Sequence, residues 1–196
     1  MERIKKYLTH EFDDVSNFRM IFSFYVAIYF GLMGPIWIVL KGLYMLPWLI
    51  GIFSIIQTLS LKSNKFFIKK FSLNQFFRVS IIVHVLYLFI ALTYFISPHV
   101  MIIIDSALGI FDVALFSAFS IKLDVLQAKK HPEHVQNFKT KRNSRIADGT
   151  IIGTGIMSLI LFFNSVGVGV MVIVVVSLLF LLLQIKYFNF YKERGL

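Results

Sequence analysis

Six apolar stretches, residues 20–40, 43–61, 77–96, 100–121, 147–163 and 169–187, dominate this chain and leave little else for it to fold with. A helix needs about 20 apolar residues to cross roughly 30 Å of hydrocarbon, and the sequence offers that length repeatedly. The connection between the first two stretches is so short that it predicts antiparallel neighbours. Ser97-Pro98-His99 turns the third into the fourth, and Asn164-Ser165-Val166-Gly167 turns the fifth into the sixth. A soluble core cannot absorb this material: 58% of the 196 residues are hydrophobic and 22 are Phe, while a domain of this size has too much surface for its volume. Lipid is therefore the expected cover, and the expected architecture is an all-α membrane protein of six transmembrane helices. Residues 1–19 are expected to form a cytoplasmic amphipathic segment, residues 20–187 the transmembrane bundle, and residues 188–196 a cytoplasmic tail.

The net charge of +10 invites a nucleic-acid reading, which the placement of the charges argues against. Of the 20 Lys and Arg residues, nineteen fall on one side of the expected spans, from Arg3 to Arg194, and only Lys41 falls on the other. That asymmetry is the positive-inside rule, and it predicts both termini in the cytoplasm of a cell carrying the protein in its inner membrane. No nucleic-acid partner is expected; membrane lipid is. Ile4, Leu8, Phe12 and Val15 recur at helical spacing among charges, as in a helix lying on a membrane surface. The connections around residues 62–78 and 123–146 mix Phe or Val with Lys and His and are expected to lie along that surface too. The first apolar stretch is rich in bulky aromatics and has no small-residue cleavage site after it, so no cleavable signal is expected.

Ionisable residues inside a bilayer are costly, so each needs a reason to be there. Asp105 and Asp112 lie seven residues apart, almost two helical turns, which sets both on one face of the fourth span with Gly109 between them. His84, on the third span, falls at the depth of Asp112 to Leu115 in an antiparallel hairpin and is placed to pair with Asp112. Desolvation working against mutual attraction would set their protonation, a physical basis for proton coupling. The plainer alternative is that all three residues join helices or face water without titrating. Gly149, Gly153 and Gly155 alternate with Thr150, Thr154 and Ser158 on the fifth span and predict close helix packing, either within the chain or between two copies. Gly31, Gly34 and Pro35 predict a bend or hinge near the end of the first span. Tyr25, Tyr29, Gln57, Tyr87 and Tyr94 are available as cavity groups. Arg145 and Asp148 are spaced for a salt bridge, and the sixth span, aliphatic except for Phe180 and Ser177 as far as Gln184, is expected to carry no chemistry.

Enzyme motifs are missing. The chain has no cysteine and hence no thiol nucleophile or thiolate site, and it has neither a nucleophile elbow nor a phosphate-cradling Gly-Lys loop. His131, Glu133 and His134 have poor spacing for a metal, and neither a metal nor a cofactor is expected.

Residues 25–59 resemble the first hairpin of major facilitator superfamily transporters, with Gly31-Leu-Met-Gly34-Pro35-Ile-Trp, a short loop, and then Leu49-Ile-Gly51-Ile-Phe-Ser-Ile. Asp105-Ser-Ala-Leu-Gly109-Ile-Phe-Asp112 and Arg145-Ile-Ala-Asp148-Gly-Thr-Ile-Ile-Gly153-Thr-Gly155 are similar to that family's half-domain. The family's loop signature, a Gly, an Asp and basic residues around another Gly, should fall within residues 60–78, which have the Lys residues but neither Gly nor Asp. The resemblance implies half of a twelve-span transporter, with a parallel homodimer restoring the two-bundle arrangement around a central cavity. The expected function is accordingly a half-size transporter of a small solute, open to coupling with protons through Asp105, Asp112 and His84. Two other readings stand beside it: a substrate-capturing subunit of a larger transporter, and an accessory or immunity protein that grips another membrane protein through its Gly-rich fifth span.

Overall fold

The computed structural model describes residues 14–130 and 135–193, and every regular element in them is helical. The long helices are α1 (Asp14–Tyr44), α2 (Pro47–Ser60), α4 (Leu73–Leu92), α5 (Pro98–Lys130), α6 (Val135–Phe163) and α7 (Val166–Glu193), with a short α3 (Asn64–Lys70) between α2 and α4. Five of them, α1, α4, α5, α6 and α7, are long and apolar enough to cross a membrane. Their outward faces carry large apolar side chains left bare by the protein itself, such as Phe162 at 81%, Phe163 at 75% and Leu182 at 64% exposure. This is a multi-pass, all-α membrane protein, with lipid covering what the fold does not.

The second apolar stretch is shorter as a helix than the sequence suggests. Leu46, which precedes Pro47, is held in extended backbone, so α1 must end before it and α2 starts with Pro47 in its first turn. The 14 residues of α2 span about 21 Å, and the 3₁₀ turn Leu61–Ser63 carries the chain on into α3. Ser72 and Gln75 then form a reciprocal capping box, side chain to backbone at 3.2 and 2.7 Å, which starts α4. The connection expected along the surface at residues 123–146 is helical on both of its described sides. At 33 residues α5 is about 50 Å long, so it outruns the hydrocarbon, and α6 begins well before its apolar half. The amphipathic segment expected over residues 1–19 and the His131, Glu133 and His134 group lie largely or wholly outside the described residues; Asp14 to Arg19 are the opening turns of α1.

Helix pairing follows a simple rule. α1 packs on α6 and α7, α5 packs on α2 and α4, and α4 packs on α7. Exchanging the first three long helices for the last three (α1 for α5, α2 for α6, α4 for α7) maps these contacts onto one another, while the contact of α6 with α7 has no counterpart of similar extent between α2 and α4. α1 and α2, expected to be close neighbours, instead diverge: α2 lies along α5 and α1 along α6.

The α1–α6 contact is the most extensive, and glycine explains it. A Cβ at Gly149 would sit 2.6 Å from Phe24 O and one at Gly31 would sit 2.5 Å from Thr150 O, both backbone atoms. At Gly153 a Cβ would strike the Ile28 carbonyl oxygen and lie 2.9 Å from Leu32 N. Gly149 and Gly153 therefore do what their spacing predicts, within one chain. Gly155 does not: nothing lies within 4 Å of where its Cβ would be, and it is exposed. Gly31, expected as part of a hinge, is locked into this contact. Pro35 lies inside a continuous α1, where it cannot donate to Gly31 O four residues back, and the Thr154 hydroxyl donates to that carbonyl across the interface at 3.3 Å.

At one end of the bundle, Asp124 of α5 accepts hydrogen bonds from Arg19 of α1 and from Arg142 of α6, the latter at 2.5 Å. Arg19 also donates to Leu123 O at 3.0 Å and lies over the Phe138 ring. Three helices are thus tied by one carboxylate. Asp124→Ala leaves two guanidiniums that are only 5% and 11% exposed without this counter-ion, and it is expected to destabilise the fold by up to about 3 kcal/mol. The Arg145–Asp148 pair forms as expected at 3.3 Å, but its carboxylate is 38% exposed, so Asp148→Ala is expected to cost about 1 kcal/mol or less. Thermal unfolding of the two variants in the same detergent checks the order; equal midpoints would contradict it.

Candidate functional site

The divergence of α1 from α2 leaves a cavity of about 220 Å³ between α1, α2, α4 and α5. α1 contributes Tyr29, Phe30, Met33, Gly34, Trp37 and Lys41, which recur every three or four residues and so form one face of the helix. α5 supplies Asp105, Gly109, Asp112 and Val113, α4 supplies His84 and Tyr87, and α2 supplies Gln57. Sequence spacing therefore located the cavity wall: Asp105, Asp112 and His84 converge on one space. Seven residues of helical rise separate the two carboxylates by roughly 10 Å along α5.

Each polar group has its own surroundings. Asp105 is 4% exposed, and its Oδ1 has no hydrogen-bond partner among the described residues. Half-buried Asp112 accepts a hydrogen bond from the Tyr87 hydroxyl at 3.3 Å. His84, also 4% exposed, places Nδ1 3.0 Å from the Ser80 carbonyl oxygen. A carbonyl can only accept, so in that bond Nδ1 carries the proton. The direct pairing of His84 with Asp112 is not made: Asp112 is engaged by Tyr87, and the His84 ring bonds back to its own helix at Ser80. Gly109 leaves room between the acids, since a Cβ there would lie 2.6 Å from Gln57 Nε2.

α7, expected to face lipid or a packed partner, bonds into the bundle through two polar side chains. Gln184 Nε2 donates to Ser80 Oγ at 3.1 Å and lies 3.2 Å from His84 Nδ1, while the Ser177 and Tyr29 hydroxyls are 3.1 Å apart. Both α7 side chains are buried and seven residues apart, and the signal was present: two polar residues at heptad spacing in an otherwise aliphatic helix. Of the five cavity groups named from sequence, Tyr29, Gln57 and Tyr87 line the space, whereas Tyr25 and Tyr94 do not. Gly34 of the expected hinge also lines it, with nothing within 4 Å of where its Cβ would be. Lys41 was the larger omission. As the one basic residue off the positive side it reads as a loop residue, yet it stands one turn beyond Trp37 on the cavity face of α1.

Comparison of the chain with family models, with curated proteins and with solved structures finds no match. Among the described residues there is no cluster of three or more metal-ligating side chains. The cavity thus offers two carboxylates, an imidazole, an ammonium group and aromatic side chains, a set suited to binding a polar or charged solute and to exchanging protons.

Proposed function

We propose that this chain is a half-size, major-facilitator-like transporter of a small solute, with six spans, both termini in the cytoplasm of the inner membrane, and a parallel homodimer as its working form. The observation that carries the reading is the convergence of Asp105, Asp112 and His84 on one cavity between the helices of the bundle. Carboxylates are expensive to keep at membrane depth without a function that uses them. The exchange of α1, α2 and α4 for α5, α6 and α7, which holds for the main helix contacts apart from that of α6 with α7, supports the architecture, because it is the relation expected of two inverted three-helix repeats. In this reading α2, completed by the 3₁₀ turn that follows it, is the second of six spans, and Asp105 and Asp112 carry protons along the wall of α5. Membrane lipid covers the outer faces, and the second bundle is another copy of the same chain. No cofactor, metal or bond-making chemistry belongs to this mechanism.

The mass of the particle purified in lipid nanodiscs tests the assembly. Twice the 22.7 kDa of one chain is expected after subtraction of lipid and scaffold. A single chain, or a complex with other proteins, would contradict the homodimer and transfer the cavity to a capture subunit or an accessory protein.

A further inference from the structure

Resting on the transport reading of the same cavity, we propose that its solute is a small organic cation, a protonated amine with an apolar body, and that Lys41 is the residue that sets its charge selectivity. Four features lead there. Asp105 is buried with Oδ1 unpartnered, so a hydrogen-bond donor is missing from the cavity, and an ammonium group supplies one. The formal charges on the wall are two carboxylates, Asp105 and Asp112, against one ammonium, Lys41, leaving an excess of negative charge that an anion would meet as repulsion. Trp37, Tyr29 and Tyr87 line the same space, and aromatic rings attract cations. At about 220 Å³ the space is several times the roughly 30 Å³ share of a water, so it suits a molecule with an apolar body better than a bare ion.

Lys41 is the residue whose removal separates the possibilities. If the solute is a cation, the Lys41 ammonium repels it and competes with it for carboxylate. If the solute is an anion, Lys41 is the ammonium on the wall that would hold it, beside the imidazole of His84.

The chain has two tryptophans, of which Trp37 lines the cavity and Trp48 is exposed on α2, so Trp48→Phe leaves a single fluorophore in the site. In this background, in nanodiscs, titration with 2-phenylethylammonium is expected to change Trp37 emission saturably, whereas 2-phenylethanol and phenylacetate are expected to bind far more weakly. Asp105→Asn is expected to weaken 2-phenylethylammonium binding roughly tenfold or more, the scale of a lost charge-assisted hydrogen bond. Lys41→Met is expected to tighten it, by about threefold or more. Equal binding of the alcohol and the amine, binding of phenylacetate that disappears in Lys41→Met, or no saturable response to 2-phenylethylammonium or tetramethylammonium would overturn the proposal. The arms also separate this inference from the transport reading. Amine binding with no flux across a proteoliposome leaves the cation site standing and removes the transporter; proton-linked flux of a neutral or anionic solute does the reverse.

Discussion

Gly153→Leu is expected to abolish recovery of folded protein. The Cβ alone would strike the Ile28 carbonyl oxygen and crowd Leu32 N and Gly31 C, all backbone atoms of α1 that cannot rotate away as a side-chain tip would. The helices must then separate along their whole contact, which also removes the neighbour of Gly149 and the hydroxyl that Thr154 gives to Gly31 O. Overpacking a core ordinarily costs about 1–3 kcal/mol, and a clash of backbone with backbone belongs at or above the top of that range. Gly155→Leu is the matched control: two residues away on the same helix, it points into open space and is expected to behave as wild type. Size-exclusion yield and thermal midpoint in one detergent read both variants. A Gly153→Leu protein as abundant and as stable as Gly155→Leu would contradict the packing described for α1 and α6. Since the contact lies inside one chain, a loss of function in Gly153→Leu says nothing about whether the fifth span also grips a partner.

The other large effect is expected from the paired variant Asp105→Asn, Asp112→Asn. Asparagine keeps the shape and the hydrogen-bonding capacity of each side chain but can neither take up a proton nor balance a cation. The fold is expected to survive, because Asp105 Oδ1 has no partner to lose and Asp112 has only the Tyr87 hydroxyl. In proteoliposomes loaded with a pH-sensitive dye, the change of internal pH that follows addition of a transported solute is expected to fall roughly tenfold or more, an activation difference above about 1.4 kcal/mol. An unchanged pH response in the double variant would remove Asp105 and Asp112 from the proton path. A variant that no longer folds would instead mark the two acids as helix joiners.

Much of this was legible because lipid simplifies the sequence. Apolar length located the long helices, since hydrocarbon tolerates few other solutions, and heptad spacing put Asp105 and Asp112 on one wall. Gly149 and Gly153 were legible for the same reason: small residues four apart permit backbones to touch. What the sequence hid was set by tertiary partners. Nothing local says that α1 leaves α2 for α6, yet that divergence creates the cavity. Arg19 reads as one more basic residue at the edge of a span, but it is a buried partner of Asp124, which lies 105 positions away. Lys41 reads as a loop residue because the turn that ends α1 lies only a few positions beyond it, and its place on the cavity face depends on α1 staying helical through Pro35 to Tyr44. Gln184 was masked by the aliphatic residues around it, although an amide in such a helix needs a partner.

The chain contains no cysteine, so one introduced thiol reports on one position without background. A transporter of this kind must open the cavity as a water-filled path to each side of the membrane in turn. Gly34→Cys places a thiol in it with nothing within 4 Å to displace, and Gly155→Cys places one on the outer face of α6 as a lipid-covered control. In sealed, oriented vesicles, a charged thiol reagent that cannot cross the membrane is predicted to label Gly34→Cys from either side and to leave Gly155→Cys unmodified from both. Labelling of Gly34→Cys from one side alone would make the cavity a closed-ended pocket, and failure to label it from either side would make Asp105 and Asp112 parts of a dry helix bundle.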